Sequence, residues 1–513
     1  MQNKNENHFI YKYQNILFHL ALIAISAVFL LVFSLWTSPL RPSWYGCDAS
    51  FFTMAGRGIT TGWIPYEDFF DLKGPYFFFI QALGQLICKG RTGAYIVQVT
   101  TLYAALLLMH KTARMFISSR KATFIVGLFL LFHVATLWGG NTLEEYMLPL
   151  SLLSIYLALR DLSNNGTASM SEGSIKPLSS VIIGICFSII LFSKVTVAAP
   201  IIGLVIAVAI YMIKNRRYFN LVSFLIYAFL GVLLGILPIF IYFSLNHALS
   251  DMLYSVFIFA FKRSIDFDQK FNIKWELKIS GCYFGIIFAL FNIIKPLSNS
   301  ALMALSERKR KATDFLLILI ICVGSVTAFV LHFGDPFIYY FTTVFPTIML
   351  TFVALFIIYD PATIFRYKRL DIPLIFFFIT LCYFASHSAN TLNTVIYHDE
   401  DEYHKSYEAQ ALEMASLIPA ADRNSVYSLN MDMQWFEITD ILPCYSYTIN
   451  LQFFVALDNR IEGNIIDKLN TDPPKWIVIG GDLSSYLPNI NEVVCKKYTN
   501  VYSNDYGSLY LLD

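Results

Sequence analysis

Eleven apolar runs set the terms for this chain. They lie at 15–37, 92–110, 122–138, 146–159, 177–193, 195–213, 219–245, 279–294, 315–334, 336–359 and 372–392. A helix needs about 20 apolar residues to cross a bilayer, and most of these runs approach that length. The first is too long for a signal-peptide core of about 7–15 residues, so it reads as a first span. Only 14% of residues are charged, against roughly 25% in soluble domains. The expected fold class is a polytopic α-helical membrane protein of about eleven spans. A net charge of +1 gives no footprint for nucleic acid. The eight cysteines form no Cys-x-x-Cys or zinc-like spacing, so no cofactor or metal is called for.

Charge sets the direction of the spans. A twelfth apolar run, Pro75 to Cys88, is read as an interfacial helix and not as a crossing. Alternate loops then carry Lys4 and Lys12; Lys111, Arg114, Arg120 and Lys121; Lys214, Arg216 and Arg217; Arg308 to Lys311; and Arg366, Lys368 and Arg369. Under the positive-inside rule that side is cytoplasmic. The N-terminus is expected inside and the C-terminus outside, with Phe77, Phe78 and Phe79 facing the interface. The remaining loops, at 38–91, 139–145, Lys194, 246–278 and 332–340, are rich in acids and aromatics and face out.

From about residue 393 the composition turns polar. Strands are expected at 425–430, at 475–481 and in "YGSLYLL", with helices in "RIEGNIIDKLN" and "NEVVCKKY". This alternation suggests a small α/β domain over 393–513, outside the membrane. A disulfide between Cys444 and Cys495 is allowed in that compartment, but spacing does not decide it.

The chemistry gathers in the outer loops. Asp48, in "WYGCDASFF", has two readings: an N-cap for the next helix, or a general base that takes a proton from an acceptor hydroxyl. In "YEDFFDLKGP", Lys73 either pairs with Asp68 or Asp71 or offers a cation to an interfacial phosphate. Glu144 and Glu145 stand at the mouth of a later span. There they serve the helix dipole or a functional site. Lys194 marks a turn between spans or a second phosphate cation, and Arg263 beside Lys262 is a third. His332, Tyr339 and Tyr340 complete the outer face. No Walker motif or Gly-x-Ser-x-Gly elbow is present.

Taken together, "GCDASFF", "GWIPYEDFFDLKGP" and "NTLEE" in this order resemble the GT-C superfamily of integral-membrane glycosyltransferases. Within it the likeness is to bacterial family-39 enzymes, related to protein O-mannosyltransferases and the lipid A aminoarabinose transferase. It covers roughly residues 10–390. The resemblance implies a polyprenyl-phosphate sugar donor and a lipid, glycan or protein acceptor. It implies transfer with inversion on the outer face of a bacterial cytoplasmic membrane. It casts Asp48 as base, Lys73 as the donor-phosphate lysine, and Glu144 or Glu145 as the second acid. The lysine motif is Lys-Gly-Pro here, where the family has a Lys-Pro-Pro-like turn. Tyr66, Asp68, Asp71, His332, Tyr339 and Tyr340 are the expected substrate-binding residues. The reading from another class is a lipid-linked saccharide flippase or exporter, with no bond made.

Overall fold

The computed structural model describes residues 2–163, 174–266, 273–294, 307–332, 337–359, 370–397 and 401–513. Asp335 and the basic residues Arg366, Lys368 and Arg369 lie outside them. The long helices are α1 (Gln2–Phe33), α4 (Arg91–Arg114), α5 (Ser119–Thr136), α6 (Leu143–Ser163), α7 (Pro177–Leu191), α8 (Ala199–Lys214), α9 (Tyr218–Leu245), α12 (Ile273–Ile294), α13 (Glu307–Leu331), α14 (Phe345–Ile358) and α15 (Asp371–Tyr397). Between them come α2 (Cys47–Thr60), α3 (Pro75–Ile87) and the short α10 (Leu249–Leu253) and α11 (Ala260–Asp266).

Helix occupies every expected span. Nine helices among the described residues are long and apolar enough to cross a membrane. The other two are α6, which opens on Glu144 and Glu145, and α7, which has 15 residues.

Contacts at one end of the bundle fix the alternation of the helices. Trp36, after α1, donates its backbone N–H to Gly139, after α5 (2.8 Å). Arg91, opening α4, donates to the carbonyls of Arg41, Pro42 and Trp44. Gly74 donates to Ser193, after α7 (2.7 Å). Arg41 reaches the carbonyl of Val395 in the last turns of α15 (3.2 Å). Helix α3 therefore leaves this end and returns to it. Its 13 residues span about 20 Å at 1.5 Å per residue, short of the roughly 30 Å hydrocarbon core.

Its aromatic residues correct one expectation. Phe77 and Phe78 do not face the interface but are fully buried. Phe77 packs on Phe52 of α2 (4.7 Å) and Phe78 on Phe69 (4.8 Å), while Phe79 packs edge-on to Tyr242 of α9 (5.2 Å). The loop alternates charges and aromatics because its aromatics are buried against the bundle and the C-terminal region beneath the polar groups.

The C-terminal region begins without a break, since α15 runs through the boundary expected at 392/393. It contains α16 (Asp401–Ser416), α17 (Met433–Thr439), α18 (Leu451–Leu457), α19 (Arg460–Thr471), α20 (Leu483–Tyr486) and α21 (Pro488–Lys497). Its sheet has the order β1-β2-β4-β3, from β1 (Val426–Leu429), β2 (Trp476–Ile479), β3 (Tyr498–Ser503) and β4 (Ser508–Leu512). The β1–β2 pair is parallel and the other two pairs are antiparallel. The expected strands and helices are all present; β3, α16, α17, α18 and α20 were not anticipated. Cys444 and Cys495 are both free.

This region grips the outer loop. Phe70 donates its backbone N–H to Ser446 (3.0 Å). Its ring sits 5.2 Å from Phe259, 5.1 Å from Tyr447 and 5.2 Å from Phe454. Arg57 of α2 pairs with Asp440, and Trp44 donates to Asp401.

Candidate active site

Helix α2 starts at an N-cap of Gly46, which makes no side-chain bond. Asp48 sits in the first turn, not at the cap. Its capping reading therefore fails, although its charge still favours the positive end of the helix dipole. The residue is exposed and opens on a cleft.

Lys73 is held from three sides. Asp71 accepts its backbone N–H at 2.8 Å and its Nζ at 3.4 Å. The Tyr66 hydroxyl donates to its carbonyl at 2.8 Å. The next residue, Gly74, bonds to Ser193 so tightly that a Cβ there would fall on the Phe192 carbonyl. Partial burial works against the ammonium, but Asp71 and then Asp48 more than offset it. The Lys73 pKa rises above its ordinary value, and the group stays charged at neutral pH.

The Gly74–Ser193 bond joins the Lys194 turn to the Lys73 turn, and both lysines line one cleft. Lys194 Nζ lies 2.7 Å from Glu144 Oε1 and 3.3 Å from the centre of the Tyr340 ring. Glu144 is only 1% exposed, and its Oε2 has no hydrogen-bond partner among the described residues. A buried carboxylate oxygen left open at a cleft wall is costly unless a ligand or water completes it.

The two adjacent acids separate. Glu145 Oε1 accepts from the Thr142 N–H (2.9 Å) and hydroxyl (2.7 Å), and Oε2 accepts from Gln98 (2.8 Å). The Thr142 bonds are the reciprocal half of a capping box, Thr142-x-x-Glu145, and with Gln98 on Oε2 both oxygens are occupied. Only Glu144 lines the cleft.

The cleft brings together Asp48, Lys73, Glu144, Lys194 and Tyr339, with Trp36, Phe52, Trp138, Asn141 and Thr142. The other expected residues stand behind this wall or apart from it. Tyr66 and Asp71 hold Lys73, and Tyr340 backs Lys194. Asp68 caps its own turn through Ile64 (2.6 Å). Arg263 lies over Phe453 of α18 (5.0 Å), close enough to act on the charge of Lys73. His332 pairs with Glu276 at 3.2 Å and is not part of the cleft wall. Among the described residues no three His, Cys, Asp or Glu side chains are grouped to hold a metal ion.

Sequence reading gives a Gly-Gly turn before Glu144 and Glu145, but not the part of Trp138 and Asn141 in it. Trp138, Gly139, Gly140 and Asn141 all have positive φ, at 50°, 81°, 95° and 62°. A Cβ at Gly139 or Gly140 would strike Trp36 or Ser34. The Gly-Gly pair and the following Asn signal such a turn; the Trp before them does not.

No protein-family model and no curated protein matches the sequence. Solved structures do. ArnT from Cupriavidus metallidurans, bound to undecaprenyl phosphate, gives a TM-score of 0.58 at 14% identity, covering 96% of this chain and 97% of that one. The chain has the GT-C fold. The apo form of ArnT gives 0.53 at 14% identity with the same coverage. Archaeal oligosaccharyltransferase AglB from Archaeoglobus fulgidus, with an inhibitory peptide and a dolichol-phosphate, gives 0.51 at 13% identity, covering 97% of this chain and 74% of that one. The GT-C likeness runs through nearly the whole chain, C-terminal region included, and at these identities it shows the fold alone.

Proposed function

We propose that this protein is a membrane glycosyltransferase that moves a sugar from a polyprenyl-phosphate donor to an acceptor hydroxyl outside the cytoplasmic membrane. One observation carries the reading: two lysines and two acids from separate elements meet in a cleft at one end of a membrane bundle. The donor suits that place, with its tail in lipid, its phosphate at the interface and its sugar in water. The bound polyprenyl phosphates of ArnT and AglB, on the same fold, support it.

The roles follow from exposure and pairing. Lys73 and Lys194 hold the phosphate and stabilise the charge that grows on it as the C1–O bond breaks. Asp48, open to the acceptor side, takes the hydroxyl proton. The acceptor oxygen bonds to C1 on the opposite face, through an oxocarbenium-like state and with inversion. Polyprenyl phosphate leaves. Glu144 orients Lys194 and offers its open oxygen to a ligand hydroxyl; Glu145 holds α6. The basic loops favour the cytoplasmic side for the far end of the bundle.

The test is turnover by the purified protein in detergent. Release of polyprenyl phosphate from a sugar-loaded donor, dependent on an envelope acceptor fraction, is the expected result. Movement of intact donor across a vesicle membrane, with no bond broken, would replace this reading with a flippase.

A further inference from the structure

The turn between α5 and α6 is left-handed at four successive residues, and the first of them is not glycine or asparagine but Trp138. A bulky side chain at φ 50° is an outlier. Such strain persists where surrounding structure enforces it, and it clusters at ligand-binding sites. The Trp138 indole is not hidden in a core that would explain it: the residue is 48% exposed. It lines the cleft together with Asp48, Lys73, Glu144 and Lys194. Beside it, Phe337 and Tyr339 stack at 5.4 Å and 15°, and the indole lies 6.4 Å from each of these rings. An interfacial tryptophan that only anchors the bundle in lipid has no need to line a charged cleft, nor of a strained backbone.

We propose that Trp138 is the stacking platform for the sugar ring of the donor. This rests on the glycosyltransferase reading. If Lys73 and Lys194 hold the phosphate and the tail runs into the bilayer, the sugar extends along the remaining wall, where Trp138 stands. One face of a pyranose carries mainly C–H groups, slightly positive at hydrogen. The face of an indole is slightly negative, and the two attract. The strained turn holds the indole upright against that face, so Trp138 selects for a ring with an unobstructed apolar face.

The experiment compares two ligands, polyprenyl phosphate with and without a sugar, against wild type, Trp138→Phe and Trp138→Gly in detergent. Wild type should bind the sugar-loaded lipid more tightly than the bare one. Trp138→Gly should lose that difference, a fall of roughly 3- to 10-fold in affinity for the loaded lipid alone. Trp138→Phe should keep most of it. Glycine relieves the positive φ, so the Gly variant should hold or raise the thermal midpoint while losing sugar-dependent affinity. Equal weakening for both lipids would make Trp138 a lipid anchor and overturn the proposal. Unchanged donor binding with a raised acceptor KM would move the platform to the acceptor and overturn it too. Failure of the wild type itself to bind or turn over the loaded lipid would remove the glycosyltransferase reading first, and this proposal with it.

Discussion

At the scale of single residues, Asp48 and Lys73 have the two central roles in the proposed chemistry, and each can be tested alone. Asp48 has no cap to lose, because Gly46 is the N-cap of α2. Asp48→Asn should therefore leave the thermal midpoint and donor binding close to wild type. The amide cannot take up the acceptor proton at neutral pH, so transfer should fall by roughly 10²–10⁴-fold. A fully active variant would remove Asp48 and leave Glu144, whose free oxygen is the next candidate. Lys73→Ala should weaken donor binding by roughly 10- to 100-fold, the value of a charge-assisted contact of about 1.5–3 kcal/mol. Titration calorimetry with polyprenyl phosphate reads this directly, and unchanged affinity would shift the phosphate to Lys194. Asp48, Lys73 and Glu144 were legible in the sequence because charge beside an apolar run is costly and so conspicuous. The division of labour between Glu144 and Glu145 was half-legible: Thr142-x-x-Glu145 spells a capping box. The strain at Trp138 was not legible, since no propensity of tryptophan signals a positive φ.

At the scale of elements, the site is made by three turns zipped to one another. The Lys73 turn bonds to the Lys194 turn through Gly74 and Ser193, and the Lys194 turn bonds to the start of α6 through Glu144. Neighbouring helices supply the turns, but their register comes from backbone contacts between segments roughly 120 residues apart, and no local pattern encodes that. Gly74 is the closest point. A Cβ there would overlap the Phe192 carbonyl, and backbone yields less readily than a side chain. Gly74→Ala should cost about 1–3 kcal/mol as overpacking and should lower donor affinity with it, because Lys73 and Lys194 then no longer line the cleft together. Thermal melting and donor titration on the same preparation check both effects. A variant with wild-type melting and wild-type donor affinity would show that the zipper is not what sets the spacing of the two lysines.

At the scale of the whole molecule, the question is which side of the membrane the site faces. Contacts at the site end show α3 leaving and returning there, which sets the parity of every later helix. The loop after α4 therefore lies at the far end, where Lys111, Arg114 and Ser119 gather with Gln14 and Asn15. The C-terminal region lies at the site end, gripping Phe70 and α2. The positive-inside rule would put this basic end in the cytoplasm and the site outside, the orientation we propose. The apolar runs and the basic loops made this architecture legible, whereas the docking of the C-terminal region on the Lys73 loop was not, because Phe70 looks like any other aromatic in that stretch. Single cysteines at Ser118 and Ser484 test the parity. Both positions are exposed, and Ser118 makes no side-chain cap bond that cysteine would remove. Cys382 and Cys495, the exposed native thiols, are replaced first. In intact cells a membrane-impermeant maleimide should label Ser484→Cys and leave Ser118→Cys untouched until the membrane is opened. Labelling of both from outside, or of neither, would mean that the two ends are not separated by the bilayer. The cleft at Asp48 and Lys73 could then not be assigned to the outer face.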